Sequence, residues 1–72
     1  MNSNFCILAE YGFYIEGCEC IVGDALDIEL EDGSILKRVS FEGAGESWIT
    51  VDFYGTDVEI GIENILSIEK VQ

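Results

Sequence analysis

The side chains with chemical potential in this chain are three thiols and fifteen carboxylates. Cys6, Cys18 and Cys20 stand beside 15 Asp and Glu residues, with three Lys and Arg and no His. Three thiols are an odd number in 72 residues, which argues against a secreted disulfide framework. Structural zinc takes four Cys or His ligands, and this chain has neither a Cys-x-x-Cys spacing nor a histidine. Cys18 and Cys20 would share one face of a strand, and they read as small buried apolar side chains in a reducing compartment. No metal is expected. Asp24, Asp27, Glu29, Glu31 and Asp32 are close together but lack the fixed spacing of an EF-hand loop. No nucleophile is paired with a base, and carboxylates occur everywhere, so none is singled out for acid–base work. The chain is expected to be no enzyme, with no catalytic residue and no cofactor.

Binding through charge is what remains for the carboxylates. The net charge is −12. It repels nucleic acid, which carries one negative charge per about 1.7 Å of duplex, and it repels anionic membranes. The favoured partners are cationic: a nucleic-acid-binding protein, a cationic peptide or metal cations. Apolar residues make up 49% of the chain and recur periodically, which excludes charge-driven disorder. No apolar run approaches the ~20 residues that span a bilayer. Met1-Asn2-Ser3-Asn4 carries no Lys or Arg to open a signal segment. A soluble, cytoplasmic protein is expected. Residues 1–72 form one domain, with residues 1–4 frayed.

The elements that position the carboxylates follow from hydropathy. Leu26, Ile28 and Leu30 alternate with Asp27, Glu29 and Glu31, the two-residue period of a half-buried strand. Asp32-Gly33 predicts a hairpin turn, since Gly accepts positive φ. Residues 34–41 form the next strand, with Ile35, Val39 and Phe41 in phase and Leu36 out of phase. A bulge near Lys37-Arg38 reconciles them. Residues 42–46 predict a flexible loop. Residues 47–54 predict a strand with Ile49, Val51 and Phe53 inward and Trp48, Thr50, Asp52 and Tyr54 outward. Gly55-Thr56 predicts a tight turn. Val58, Ile60 and Ile62 then alternate with Asp57, Glu59 and Gly61. Residues 62–65 predict one helical turn, and residues 66–71 a last strand. Residues 5–9 read as a strand or the first turns of a helix capped by Ser3, with aromatic content favouring the strand. Residues 11–15 are aromatic-rich, Glu16-Gly17 breaks them, and residues 18–22 resume an extended pattern. The expected core is Leu26, Ile28, Leu30, Val39, Phe41, Ile49, Val51, Phe53, Val58, Ile60, Ile65 and Ile68.

Four or five short antiparallel strands with closely spaced turns imply an all-β sandwich or small barrel. Leu30-Glu31-Asp32-Gly33-Ser34 is similar to the Leu-x-Asp-Gly hairpin of Sm-like proteins. Ile62-Glu63-Asn64-Ile65-Leu66-Ser67-Ile68 is similar to the helical turn before their final strand. Residues 25–71 thus resemble a small SH3-like or Sm-like antiparallel barrel of about five strands with a 3₁₀ turn before the last. RNA binding is not expected to follow, because the surface has the wrong sign.

Carboxylates at i and i+2 on a strand are about 6.8 Å apart, and neighbouring strands lie about 4.8 Å away. Asp27, Glu29 and Glu31, with Asp52, Asp57, Glu59 and Glu63, are therefore expected to form a lattice of negative charge on the sheet exterior. In size and charge the chain resembles the small phage-encoded DNA-mimic inhibitors, the anti-restriction and anti-CRISPR proteins. That resemblance implies occupation of the basic groove of a host CRISPR or restriction nuclease, with Trp48 and Tyr54 as aromatic anchors. The alternative is a structural or adaptor module that self-associates or docks a protein through a sheet edge.

Overall fold

A computed structural model describes residues 5–9, 11–15 and 18–71. The fraying expected at residues 1–4 and the break at Glu16-Gly17 lie outside the described residues. The chain folds as two antiparallel sheets. The first has three strands in sequence order: β1 (Phe5–Ala9), β2 (Gly12–Ile15) and β3 (Cys18–Ile21). The second comprises β4 (Ala25–Leu30), β5 (Ile35–Ala44), β6 (Trp48–Phe53), β7 (Thr56–Gly61) and β8 (Ile65–Lys70), with a 3₁₀ turn at Ile62–Asn64 before β8. Its spatial order is β7-β6-β5-β4-β8.

The expectation of an all-β fold holds, with residues 5–9 a strand. The closed barrel is not what the described residues form. β7 and β8 lie at opposite margins of the five-stranded sheet, with no ladder between them. The 3₁₀ turn is the physical reason. It carries the chain away from β7, the Glu31 amide donates to the Asn64 carbonyl at 2.8 Å, and β8 then pairs along β4 from Leu30↔Ile65 to Leu26↔Lys70.

β5 is longer than its sequence suggested because it absorbs two irregularities. Leu26↔Val39 and Ile28↔Leu36 leave Lys37 and Arg38 opposite Asp27 alone, which is the expected bulge. Arg38 adopts φ 54° there. A second bulge falls at Glu42, between Phe41↔Val51 and Gly43↔Thr50. Residues 42–44 therefore continue the strand where a loop was expected. The β4–β5 hairpin turns through Glu31-Asp32-Gly33. The Gly33 amide donates to the Leu30 carbonyl, and Gly33 takes φ 93°. The β6–β7 hairpin turns one residue earlier than predicted. Phe53 pairs with Thr56, and Tyr54 and Gly55 both adopt positive φ, as a two-residue type I′ turn requires. The Asp52 carboxylate braces it by accepting the Gly55 amide at 2.9 Å.

One core joins the two sheets. Leu26, Ile28, Val39, Phe41, Ile49, Val51, Ile60 and Ile65 are buried as expected, with Leu30, Val58 and Ile68 packed at its margin. The N-terminal sheet adds Phe13, Ile15 and Cys20, which the alternation argument missed. Phe13 meets Phe41 edge-on, with ring centroids 4.9 Å apart. Phe53 departs from the expected core and is 37% exposed. Its parity is inward, but β5 pairs with β6 only as far as Ser40↔Asp52, so the β5 ladder stops short of the hairpin tip. Phe53 packs instead against Tyr54.

Candidate binding surface

Pairing registers place each carboxylate. On β4, Asp27 faces Glu69 across the ladder and Glu29 faces Ser67 on β8, on the exterior of the sheet. On the other side, Asp52 lies directly opposite Asp57, and Thr50 opposite Glu59, on β6 and β7. Between the two groups the cross-strand row runs Ala25↔Ser40↔Asp52, so neutral side chains interrupt the charge. Glu31 lies in the β4–β5 turn and Glu63 in the 3₁₀ turn. The expected continuous lattice is thus two separate acidic clusters plus two turn carboxylates. Sequence alternation placed these carboxylates outward correctly, but it misplaced Ile35: beyond the bulge Ile35 pairs with Glu29 and is exposed, while Leu36 pairs with Ile28 and packs on the core. Alternation carried no information about strand order.

The clusters differ chemically. In the β4–β8 cluster the Asp27 carboxylate accepts the Arg38 amide at 2.8 Å and serves the bulge. Lys37 shares the same shallow depression with Asp27, Glu29 and Glu69 and offsets part of its charge. The β6–β7 cluster has Asp57 and Glu59 on an outer strand, with no Lys or Arg among the residues that pair with β7.

Trp48 stands at the start of β6, 40% exposed, on the same face as Asp52 but four residues away along the strand, about 13 Å. Tyr54 is 82% exposed in the turn at the far end. The two aromatics expected together beside Asp52 therefore occupy opposite ends of the strand. Trp48 is held in place by Gly45. The Gly45 amide donates to the Trp48 carbonyl at 2.9 Å, and a Cβ built on Gly45 would fall 2.7 Å from Cη2 of the indole and closer still to Cζ2 and Cε2. The indole separates two clefts of about 580 Å³ each. One is bordered by Tyr11, Val22, Glu42 and Asp57, the other by Glu46, Ser47, Ile62 and Glu63. Glu42, Glu46 and Tyr11 were not among the expected site residues. Glu46 lies two positions from Trp48, but only the N-terminal sheet brings Tyr11 and Val22 to it.

A third cleft, of about 730 Å³, lies between β7 and the β4–β5 hairpin. Its walls are Leu30, Leu36, Val58 and Ile60, and its rim carries Glu31, Asp32 and Glu59.

Two carboxylates are held below the usual range. The Asp24 carboxyl is lowered chiefly by the Ile21 amide it accepts at 2.9 Å, with Lys70 Nζ at 3.3 Å adding to it. Asp32 is lowered by the Ser34 amide at 2.8 Å and by the Ser34 hydroxyl. Both are structural. Asp24 ties the β3–β4 turn to β8, and Lys70 Nζ also donates to the Glu19 carbonyl at 3.3 Å. Among the described residues, no three Cys, Asp or Glu side chains converge as a metal-binding group, and no helix is long and apolar enough to cross a membrane. Cys20 is buried as expected, and the burial expected of Cys18 lies outside the described side chains. Comparison with protein-family models, curated proteins and solved structures finds no match for the chain.

Proposed function

We propose that the chain is a non-enzymatic acidic binding protein that occupies the basic groove of a nucleic-acid-binding protein, such as a nuclease, in place of nucleic acid. The observation that carries this reading is the setting of Trp48. A half-exposed indole stands between two clefts, and each cleft contributes two carboxylates: Glu42 and Asp57 on one side, Glu46 and Glu63 on the other. An aromatic anchor ringed by acids suits a surface rich in Arg and Lys, where guanidinium groups stack on the ring while their charges meet carboxylates. The net charge of −12 would speed the encounter. Asp52, Asp57 and Glu59 extend the same side along β6–β7; Asp27 and Glu29 form a secondary patch. The β4-to-β8 strand order and the 3₁₀ turn support an opened relative of the SH3-like plan.

The test is capture of basic nucleic-acid-binding proteins at low ionic strength by the native chain and by Trp48→Ala and Asp57→Lys variants. Steep loss of binding with salt and a tenfold or greater weakening in each variant are expected, about 1.4 kcal/mol. Equal binding by all three would overturn the reading.

One observation favours the second reading, an adaptor docking through a sheet edge. Among the described residues, β7 and β8 are the margins of their sheet and pair with nothing beyond it.

A further inference from the structure

The phase of the β6–β7 ladder is set at both ends. At one end the two-residue turn makes Phe53↔Thr56 a hydrogen-bonded pair. At the other end the Ile62 amide donates to the Ser47 carbonyl at 2.9 Å, which is the same phase carried along the strand. Thr56, Val58 and Ile60 therefore bond to β6, and the backbone amides and carbonyls of Asp57 and Glu59 turn outward at a margin that no strand pairs with among the described residues. Side chains alternate in step with this. Val58 and Ile60 point to the apolar cleft shared with Leu30 and Leu36, while Asp57 and Glu59 are exposed on the outer face.

We propose that β7 is the docking edge for an extended basic segment of the partner, which adds as an antiparallel sixth strand. Backbone pairing with Asp57 and Glu59 would supply affinity, and the two faces would supply specificity. Residues opposite Asp57 and Glu59 lie on the acidic face and must be Lys or Arg. Those between them drop beside Val58 and Ile60 and must be apolar. The occupant is thus a strand alternating basic and apolar residues. A second copy of this chain is disfavoured, because two bodies of −12 repel. The inference rests on the reading that the partner is basic and goes further in naming its conformation and its pattern.

The experiment measures binding of fluorescent peptides to the whole chain at low salt. One peptide alternates Lys and Val; a second has the same composition as a Lys block followed by a Val block. Two further versions of the alternating peptide carry backbone N-methyl groups, either on the Lys amides or on the Val amides. The alternating peptide should bind about tenfold or more tightly than the block peptide. N-methylation at Lys should abolish that advantage, because those amides face β7, and N-methylation at Val should leave it. On the protein side, Glu59→Gln and Glu59→Pro both remove the carboxylate, but only the proline removes an outward amide, which an edge strand tolerates. The proline variant should bind several-fold more weakly than the glutamine variant. If it does not fold, the peptide series decides alone. Equal binding of alternating and block peptides, or equal effects of the two methylations, would overturn the edge while leaving the basic-partner reading intact. If no peptide binds, both fall. A dimer in the sedimentation profile of the free chain that disappears in the Glu59→Pro variant would give the edge to a second copy and overturn the proposal.

Discussion

The Asp27 carboxylate accepts the backbone amide of Arg38 at 2.8 Å, and that bond holds the β5 bulge in register. Asp27 looks like any outward residue of an alternating strand. Here it caps a residue that sits at φ 54° without being glycine. Removing the carboxylate leaves a strained residue without its local acceptor. Asp27→Ala is expected to cost about 1–2 kcal/mol, read from the urea midpoint, whereas Glu29→Ala should stay within about 0.5 kcal/mol. Charge reversal at Asp27 is therefore a poor probe of surface binding, and Glu29 is the better one.

Gly45 has no room for a methyl group, because the Trp48 indole already fills that space. Gly45→Ala should displace the ring. The expected cost is about 1–3 kcal/mol if the loop resists. If the ring swings out instead, stability changes little and Trp48 fluorescence shifts to the red. A variant unchanged in both stability and emission would contradict the packing.

Phe13 joins the N-terminal sheet to Phe41. Both rings are fully buried in a domain of 72 residues, where the whole stability margin is about 5–10 kcal/mol. Phe13→Ala is expected to cost about 3–5 kcal/mol, with Phe13→Leu costing less. Amide exchange should show the N-terminal strands opening first in the Ala variant.

Asp52 and Asp57 are directly opposed like charges. Only Asp52 serves the turn, through the Gly55 amide. Asp57→Lys should therefore stabilise the domain by about 0.2–1 kcal/mol, and Asp52→Lys should destabilise it. Added salt should raise the melting temperature of the native chain, and by less in Asp57→Lys.

Asp24 and Asp32 have folded-state pKa values below the ordinary 3.8, through the Ile21 and Ser34 amides. A carboxyl lowered on folding stabilises the fold above its unfolded pKa, and that contribution disappears as pH falls through the folded value. Both contributions are complete at pH 5 and are lost below about pH 4. Asp24→Asn and Asp32→Asn should each flatten the acid limb of the urea midpoint measured from pH 5 to pH 2. An unchanged limb in the double variant would show that other groups govern acid unfolding.

Local periodicity determined much of this protein by itself. The alternation of Leu26, Ile28 and Leu30 with Asp27 and Glu29 specifies a strand and its buried face, since a side-chain period of two is a property of the extended backbone. Asp32-Gly33 specifies the first hairpin, and the out-of-phase Leu36 reveals the bulge beside it. None of these depends on distant residues. Tertiary structure alone decided which strands are neighbours. Alternation is the same for every strand, so nothing in the pattern says that β4 lies between β5 and β8, or that Ser40 and Ala25 divide the carboxylates into two groups. Closure is equally nonlocal: whether the 3₁₀ turn brings β8 to β7 or to the far side of β4 depends on contacts between Glu31 and Asn64, 33 residues apart in sequence. The same holds for Trp48. Its outward parity is local, but the clefts beside it exist only because the N-terminal sheet brings Tyr11 and Val22 next to β5 and β6.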